Sequence, residues 1–159
     1  MTYLRRGPIV GAALCLGVGL GGFVDGIVLH QILQWHNMLS SVVPPNNLVD
    51  AKYNMVWDGV FHALTWLTTV LGIGLLFRAG RISGVPWSGR ILGGGMLAGW
   101  GMFNLVEGLI DHQLLGLHHV RPGPHELAWD LGFVIIGGVG FVALGWWIAR
   151  GRRGELVAT

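Results

Sequence analysis

Four apolar runs, one polar pattern written twice and a scarcity of charge predict an all-α membrane protein, a four-transmembrane-helix bundle built from two parallel helical-hairpin repeats. Of the 159 residues, 52% are hydrophobic and 11% charged, and the mean hydropathy is +0.59. The runs extend from Ile9 to Leu33, Val56 to Phe77, Ile91 to Leu115 and Leu127 to Ile148. Each is long enough to cross a bilayer, which takes about 20 apolar residues. The chain 1–159 reads as a single transmembrane domain, with repeat one over about 9–79 and repeat two over about 90–150.

The first helix follows Arg5 and Arg6. It is longer than the apolar core of a signal peptide and carries Asp25 and His30 at its far end, so it is expected to be retained. A loop from Asn37 to Asn54, containing Pro44-Pro45-Asn46-Asn47, leads to the second helix and its Trp57-Asp58-Gly59-Val60-Phe61-His62 segment. A short connection around Ser83-Gly84-Val85-Pro86 precedes the third helix, where Gly95-x-x-x-Gly99 has the spacing for close backbone approach. The third connection runs through His118-His119-Val120-Arg121 to Pro124, a residue suited to the first turn of the fourth helix. Trp35, Trp57 and Trp129 fall near the outer boundary, as interfacial aromatic residues do.

Arginines set the orientation. Arg5, Arg6, Arg78, Arg81, Arg90, Arg150, Arg152 and Arg153 flank the termini and the second connection, whereas the other two connections offer only Lys52 and Arg121. Both termini are therefore expected in the cytoplasm, with the histidine-rich connections facing outward, toward periplasm or extracellular space. The net charge of +2 comes from these flanks and not from a basic face, which argues against nucleic-acid binding. The lone Cys15 permits no intramolecular disulfide.

The doubled pattern is Phe23-Val-Asp25-Gly26-Ile-Val-Leu-His30-Gln31 and Leu105-Val-Glu107-Gly108-Leu-Ile-Asp111-His112-Gln113. Trp57-Asp58 and Trp129-Asp130 follow the two copies. At 1.5 Å per residue, Asp25, Asp58, His62, Glu107, Asp111 and Asp130 lie roughly 24–32 Å from the cytoplasmic end, with His30, His112, His125 and Glu126 a little farther out. Carboxylates in one low-dielectric layer with no lysine or arginine beside them call for cations. These ten residues are the candidate metal ligands, and a dinuclear centre with unequal halves accommodates them.

Asp58 and His62, Glu107 and Asp111, and Glu126 and Asp130 are each four apart and share a helix face. Asp25 and His30, like Glu107 and His112, are five apart and can serve one ion only with local unwinding or a broad inward face. Iron leads as the metal, with copper, zinc and manganese as alternatives. Haem on His30 or His62 with His112 ranks below them, because it leaves the acids unexplained. His36, His118 and His119 read as loop or interface residues, and with Met38 they sketch a route for copper. Asn104, Gln31 and Gln113 are placed to support the ligands by hydrogen bonds.

The segments from Gly22 to His36, Asp58-Gly-Val-Phe-His62, Asn104-x-x-Glu107-Gly-x-x-Asp111-His112 and His118-His119-Val-Arg121 resemble a bacterial family of predicted four-helix membrane proteins catalogued as a domain of unknown function. The resemblance covers nearly the whole chain. It implies a location in a bacterial inner membrane and a four-helix topology, with the lipid bilayer, a respiratory or electron-transfer protein and further copies of the chain as expected partners. The functional expectation is a membrane metalloprotein, a candidate oxidoreductase. Copper delivery for oxidase assembly, a b-type haem protein and a purely structural bundle are the competing readings.

Overall fold

The computed structural model describes residues 5–150, so Arg152 and Arg153 lie outside the described residues. Helix α1 spans Gly7–Ile32, and its last eight residues, Asp25–Ile32, are wound as a π-helix. Helix α2 is Leu48–Gly80. Helix α3 covers 89–114, α-helical over Gly89–Glu107 and π-helical over Gly108–Leu114. Helix α4 is Glu126–Arg150, with a π-helical stretch at Phe133–Gly140.

Helix α2 starts well before the apolar run at Val56 and takes up the second half of the expected loop. The cause is Asn47, whose side chain accepts hydrogen bonds from the backbone N–H groups of Val49 and Asp50, both at 3.0 Å. Such a cap satisfies donors that a helix start leaves free. Asn54, fully buried, then ties the preceding loop to α2 by donating to the Val43 carbonyl at 2.7 Å and accepting from the Leu39 N–H at 3.2 Å.

Helices α1 and α3 pack together at the centre, with α2 against α1 and α4 against α3. Helices α1, α2 and α4 are long and apolar enough to cross a membrane. Helix α3 is less apolar because glycines, Asn104 and Glu107 occupy its buried face. Its course is fixed by its neighbours: Asp130 near the start of α4 lies at the same end as His112 near the end of α3. Half of the apolar window of α1 is buried within the protein, against 11% in α2 and in α4. The outer helices therefore present most of their apolar surface to lipid.

The α1/α3 contact is made of residues 82 positions apart in the chain, Ala13 against Gly95 and Gly17 against Gly99. A Cβ on Gly17 would run into the Met96 carbonyl and Gly99 Cα, and one on Gly99 into the Leu14 carbonyl and Gly17 Cα. Equivalent residues touching each other define a pseudo-two-fold axis between two helices that run the same way. Ile9, Ala79, Val85 and Ile91 close the end of the bundle where α1 and α3 begin with a small apolar cluster.

Candidate metal centre

The C-terminal ends of α1 and α3 share an uncommon winding. In a π-helix the hydrogen bond runs from residue i to i+5, so side chains five apart come nearly into line. Asp25 and His30, and Glu107 and His112, thereby reach one centre without breaking the helix. Each π segment ends in a left-handed residue, Gln34 with φ 50° and Gly116 with φ 57°. That conformation costs a non-glycine residue about 1–2 kcal/mol. It reverses the chain so that the Trp35 N–H reaches the Leu29 carbonyl at 3.0 Å and the Leu117 N–H reaches the Asp111 carbonyl at 2.8 Å.

The reversal folds His36 and His118 beneath the loops, 3% and 0% exposed. His36 Nδ1 donates to the Val120 carbonyl at 2.8 Å, and His118 Nδ1 donates to the Met38 carbonyl at 3.1 Å. The two bonds are symmetry mates, and the rings stack with centroids 4.6 Å apart. A carbonyl only accepts, so both Nδ1 atoms carry the proton and both Nε2 atoms are left with a lone pair. Neither Nε2 has a hydrogen-bond partner among the described residues. Burial pushes the His36 imidazole down to about 4 and that of His118 down to about 3, so both are neutral near pH 7.

In the first half, His30 Nδ1 donates to Asp58 Oδ1 at 3.0 Å. Asp58 also accepts from the Met38 N–H and Asn37 Nδ2, both at 2.8 Å, and from Gln31 Nε2 at 3.4 Å. This turns His30 Nε2 toward Asp25 Oδ2, 3.1 Å away, although neither atom is aligned for a hydrogen bond. A carboxylate behind an imidazole in this way is the usual support of a metal-bound histidine. In the second half, Asp130 accepts from the Val120 N–H at 2.9 Å, His119 Nδ1 at 2.6 Å and Gln113 Nε2 at 3.3 Å, while His112 Nδ1 stands off at 3.6 Å.

Six side chains converge: Asp25, His30 and His36 from one half, Glu107, His112 and His118 from the other. Asp25, His30 and Glu107 form one group whose donor atoms lie within 4.8 Å of one another, as do Glu107, His112 and His118, and His30, His36 and His118. Both Glu107 oxygens lack a hydrogen-bond partner among the described residues. Among the described residues, none of the buried polar side chains is a lysine or arginine. Above the cluster, Arg121 lies over the rings of Trp35 and Trp129, 5.2 and 5.6 Å from their centroids.

The structure thus brings Asp25, His30, Glu107 and His112 together and places Asp58 and Asp130 behind the imidazoles. His62 is half-buried and bonds through Nδ1 to the Asp58 carbonyl of its own helix at 2.7 Å, its Nε2 packed against Gly26. Asp111 is half-buried outside the three groups, and His125 and Glu126 are exposed at the start of α4. His36 and His118, read from sequence as loop residues, are central. One signal was available: they are 82 positions apart, the interval separating Asp25 from Glu107 and His30 from His112.

A family model described as "Predicted membrane protein (DUF2243)" matches residues 12–152. The chain belongs to this family. It is a membrane protein. No curated protein and no solved structure matches the chain.

Proposed function

We propose that this DUF2243 protein is an integral membrane metalloprotein with a dinuclear imidazole and carboxylate centre in the outer part of its bundle. The observation that carries the reading is the set of buried, unpartnered atoms aimed at one another: Asp25 Oδ2, both Glu107 oxygens and the Nε2 atoms of His30, His36, His112 and His118. Leaving one such group unsatisfied costs about 1–3 kcal/mol, more if it is charged. Cations would satisfy them together and offset the carboxylate charge. Asp25, His30 and Glu107 would hold one ion and Glu107, His112 and His118 the other, with Glu107 shared between them, His36 in reach beside His30 and His118, and Asp58 and Asp130 orienting imidazoles from behind.

Imidazole with carboxylate suits iron first, then copper, zinc and manganese. Close packing of the rings speaks for ions rather than a porphyrin. The burial of His36 and His118 favours a resident centre over a delivery site, which would need them at the surface. Two redox-active ions beside an apolar phase would serve an oxidoreductase, supplying Lewis acidity and electron transfer when bound. The arginine distribution supports a position for the centre on the periplasmic side.

Elemental analysis with an optical spectrum, on full-length protein purified in mild detergent, tests the proposal. About two metal ions per chain without a Soret band is the expected result. Protein that is free of metal and fails to bind added Fe(II), Cu(II), Zn(II) or Mn(II) would overturn it.

A further inference from the structure

A cavity of about 230 Å³ lies between α1, α3 and α4, with Asp25 and Asn104 among its lining residues and Trp100, Phe133 and Phe141 as its aromatic walls. Trp100 and Phe141 meet edge to face with centroids 5.2 Å apart. Val24, another lining residue, is 40% exposed on the apolar outer surface, so the cavity borders lipid and not an aqueous face. Whatever enters from there is neutral and soluble in the membrane.

Size and polarity narrow the occupant. Drug-sized ligands occupy pockets of about 300–1,000 Å³, whereas a cavity of about 150 Å³ with apolar walls takes up benzene. A volume near 230 Å³ therefore suits one substituted ring. Asn104 Nδ2 donates to the Gly137 carbonyl at 2.9 Å, which leaves Asn104 Oδ1 as a buried acceptor with no donor among the described residues. Asp25 lines the same cavity, its Oδ2 turned toward His30 Nε2 at 3.1 Å. An occupant with a hydrogen-bond donor would satisfy Asn104 Oδ1 once a small shift of the cavity wall uncovers it.

We propose that this cavity binds a neutral phenolic ring, the head of a membrane-soluble phenol or hydroquinone, its hydroxyl donating to Asn104 Oδ1 and its ring held by Trp100, Phe133 and Phe141. This names the substrate class of the metal centre and rests on that reading only in setting the hydroxyl beside a metal ligand, Asp25. The other half of the bundle offers no such place. Gly22 stands where Asn104 does, and Phe103 comes within 3.2 Å of a Cβ built on Gly22. The cavity there, about 190 Å³ beside Phe61, Thr65 and Phe103, has no acid in its lining.

The test uses full-length protein in phosphatidylcholine nanodiscs, with 2,6-dimethylphenol and its methyl ether as probes and metal content measured on the same samples. The phenol should bind about tenfold more tightly than the ether, the difference expected of one hydrogen bond to a buried acceptor. Asn104→Leu should erase that preference. Because Asn104 also ties α3 to α4, Val28→Trp at the cavity's edge is the second variant, expected to block both probes while metal content stays unchanged. Equal binding of phenol and ether, or full phenol preference in either monodisperse variant, would overturn the proposal. Metal without phenol preference defeats the cavity alone, and phenol preference in metal-free protein defeats the metal reading alone.

Discussion

The two halves of the bundle present equivalent side chains to the centre and surround them differently. His30 and His112, His36 and His118, and Asp25 and Glu107 take corresponding places, and each carboxylate behind an imidazole also accepts a loop N–H, from Met38 in one half and Val120 in the other. The divergence begins one layer out. Asn37 donates to Asp58, whereas His119 occupies the same place on Asp130, and the His112 contact has opened to 3.6 Å. Helix α4 also contains one residue more than α2 in the matching stretch. Thr65 and Gly137, 72 apart, face Gly22 and Asn104, yet farther down Gly72 on Leu16 corresponds to Gly145 on Ala98, an interval of 73. The π-helix at Phe133–Gly140 absorbs the extra residue. The duplicated chain has kept its inward donors while changing what holds and reaches them.

What both halves share should be hardest to alter. Gly99→Leu places a side chain where the Leu14 carbonyl and Gly17 Cα already stand. Neither backbone can yield, so the expected result is loss of the monodisperse peak in detergent size-exclusion chromatography. A well-behaved Gly99→Leu protein would show that α1 and α3 do not meet as described. Next in size is His36→Ala combined with His118→Ala, expected to reduce bound metal to below about a tenth of wild type, since half of the imidazole donors vanish. Full metal content in the folded double variant would return both residues to a loop role.

The comparison also shows which features the sequence carried. Four helices were legible because membrane spans announce themselves by length and composition, even though α3 is diluted by glycine. Asp25, His30, Glu107 and His112 were legible as polar residues inside apolar runs. His36 and His118 were hidden because they leave the apolar stretch and return only through the left-handed residues Gln34 and Gly116, a reversal that hydropathy does not record. The five-residue spacing was an obstacle for the same reason: it is awkward on an α-helix and natural on the π-helix that forms. Asn47, which starts α2 farther out, lay inside the expected loop, because hydropathy marks where the apolar run begins and not where a side chain caps the helix.

A difference between the halves should appear when each supporting carboxylate is neutralised. Asp58→Asn would remove the charge that orients His30 and put an amide among donors, so a loss of about 10- to 100-fold in metal affinity is expected. Asp130→Asn should cost less, because His112 is already 3.6 Å away. Competition with a chelator of known affinity measures both. Equal losses would mean that the wider spacing in the second half has no energetic consequence.

The smallest effect is expected at His62, the residue that most distinguishes the first half by composition. Val134 occupies the corresponding place, and Gly26 and Gly108 receive the two side chains in the same manner. His62→Val therefore makes one half resemble the other without touching the inward donors. It removes one hydrogen bond to the Asp58 carbonyl, worth about 0.5–1.5 kcal/mol in stability, and keeps a branched apolar group against Gly26. Metal stoichiometry should stay at the wild-type value, with only a slight fall in thermal stability in detergent. Loss of half the metal would mean that His62 swings inward when an ion binds and that the two sites differ in their ligands as well as their surroundings.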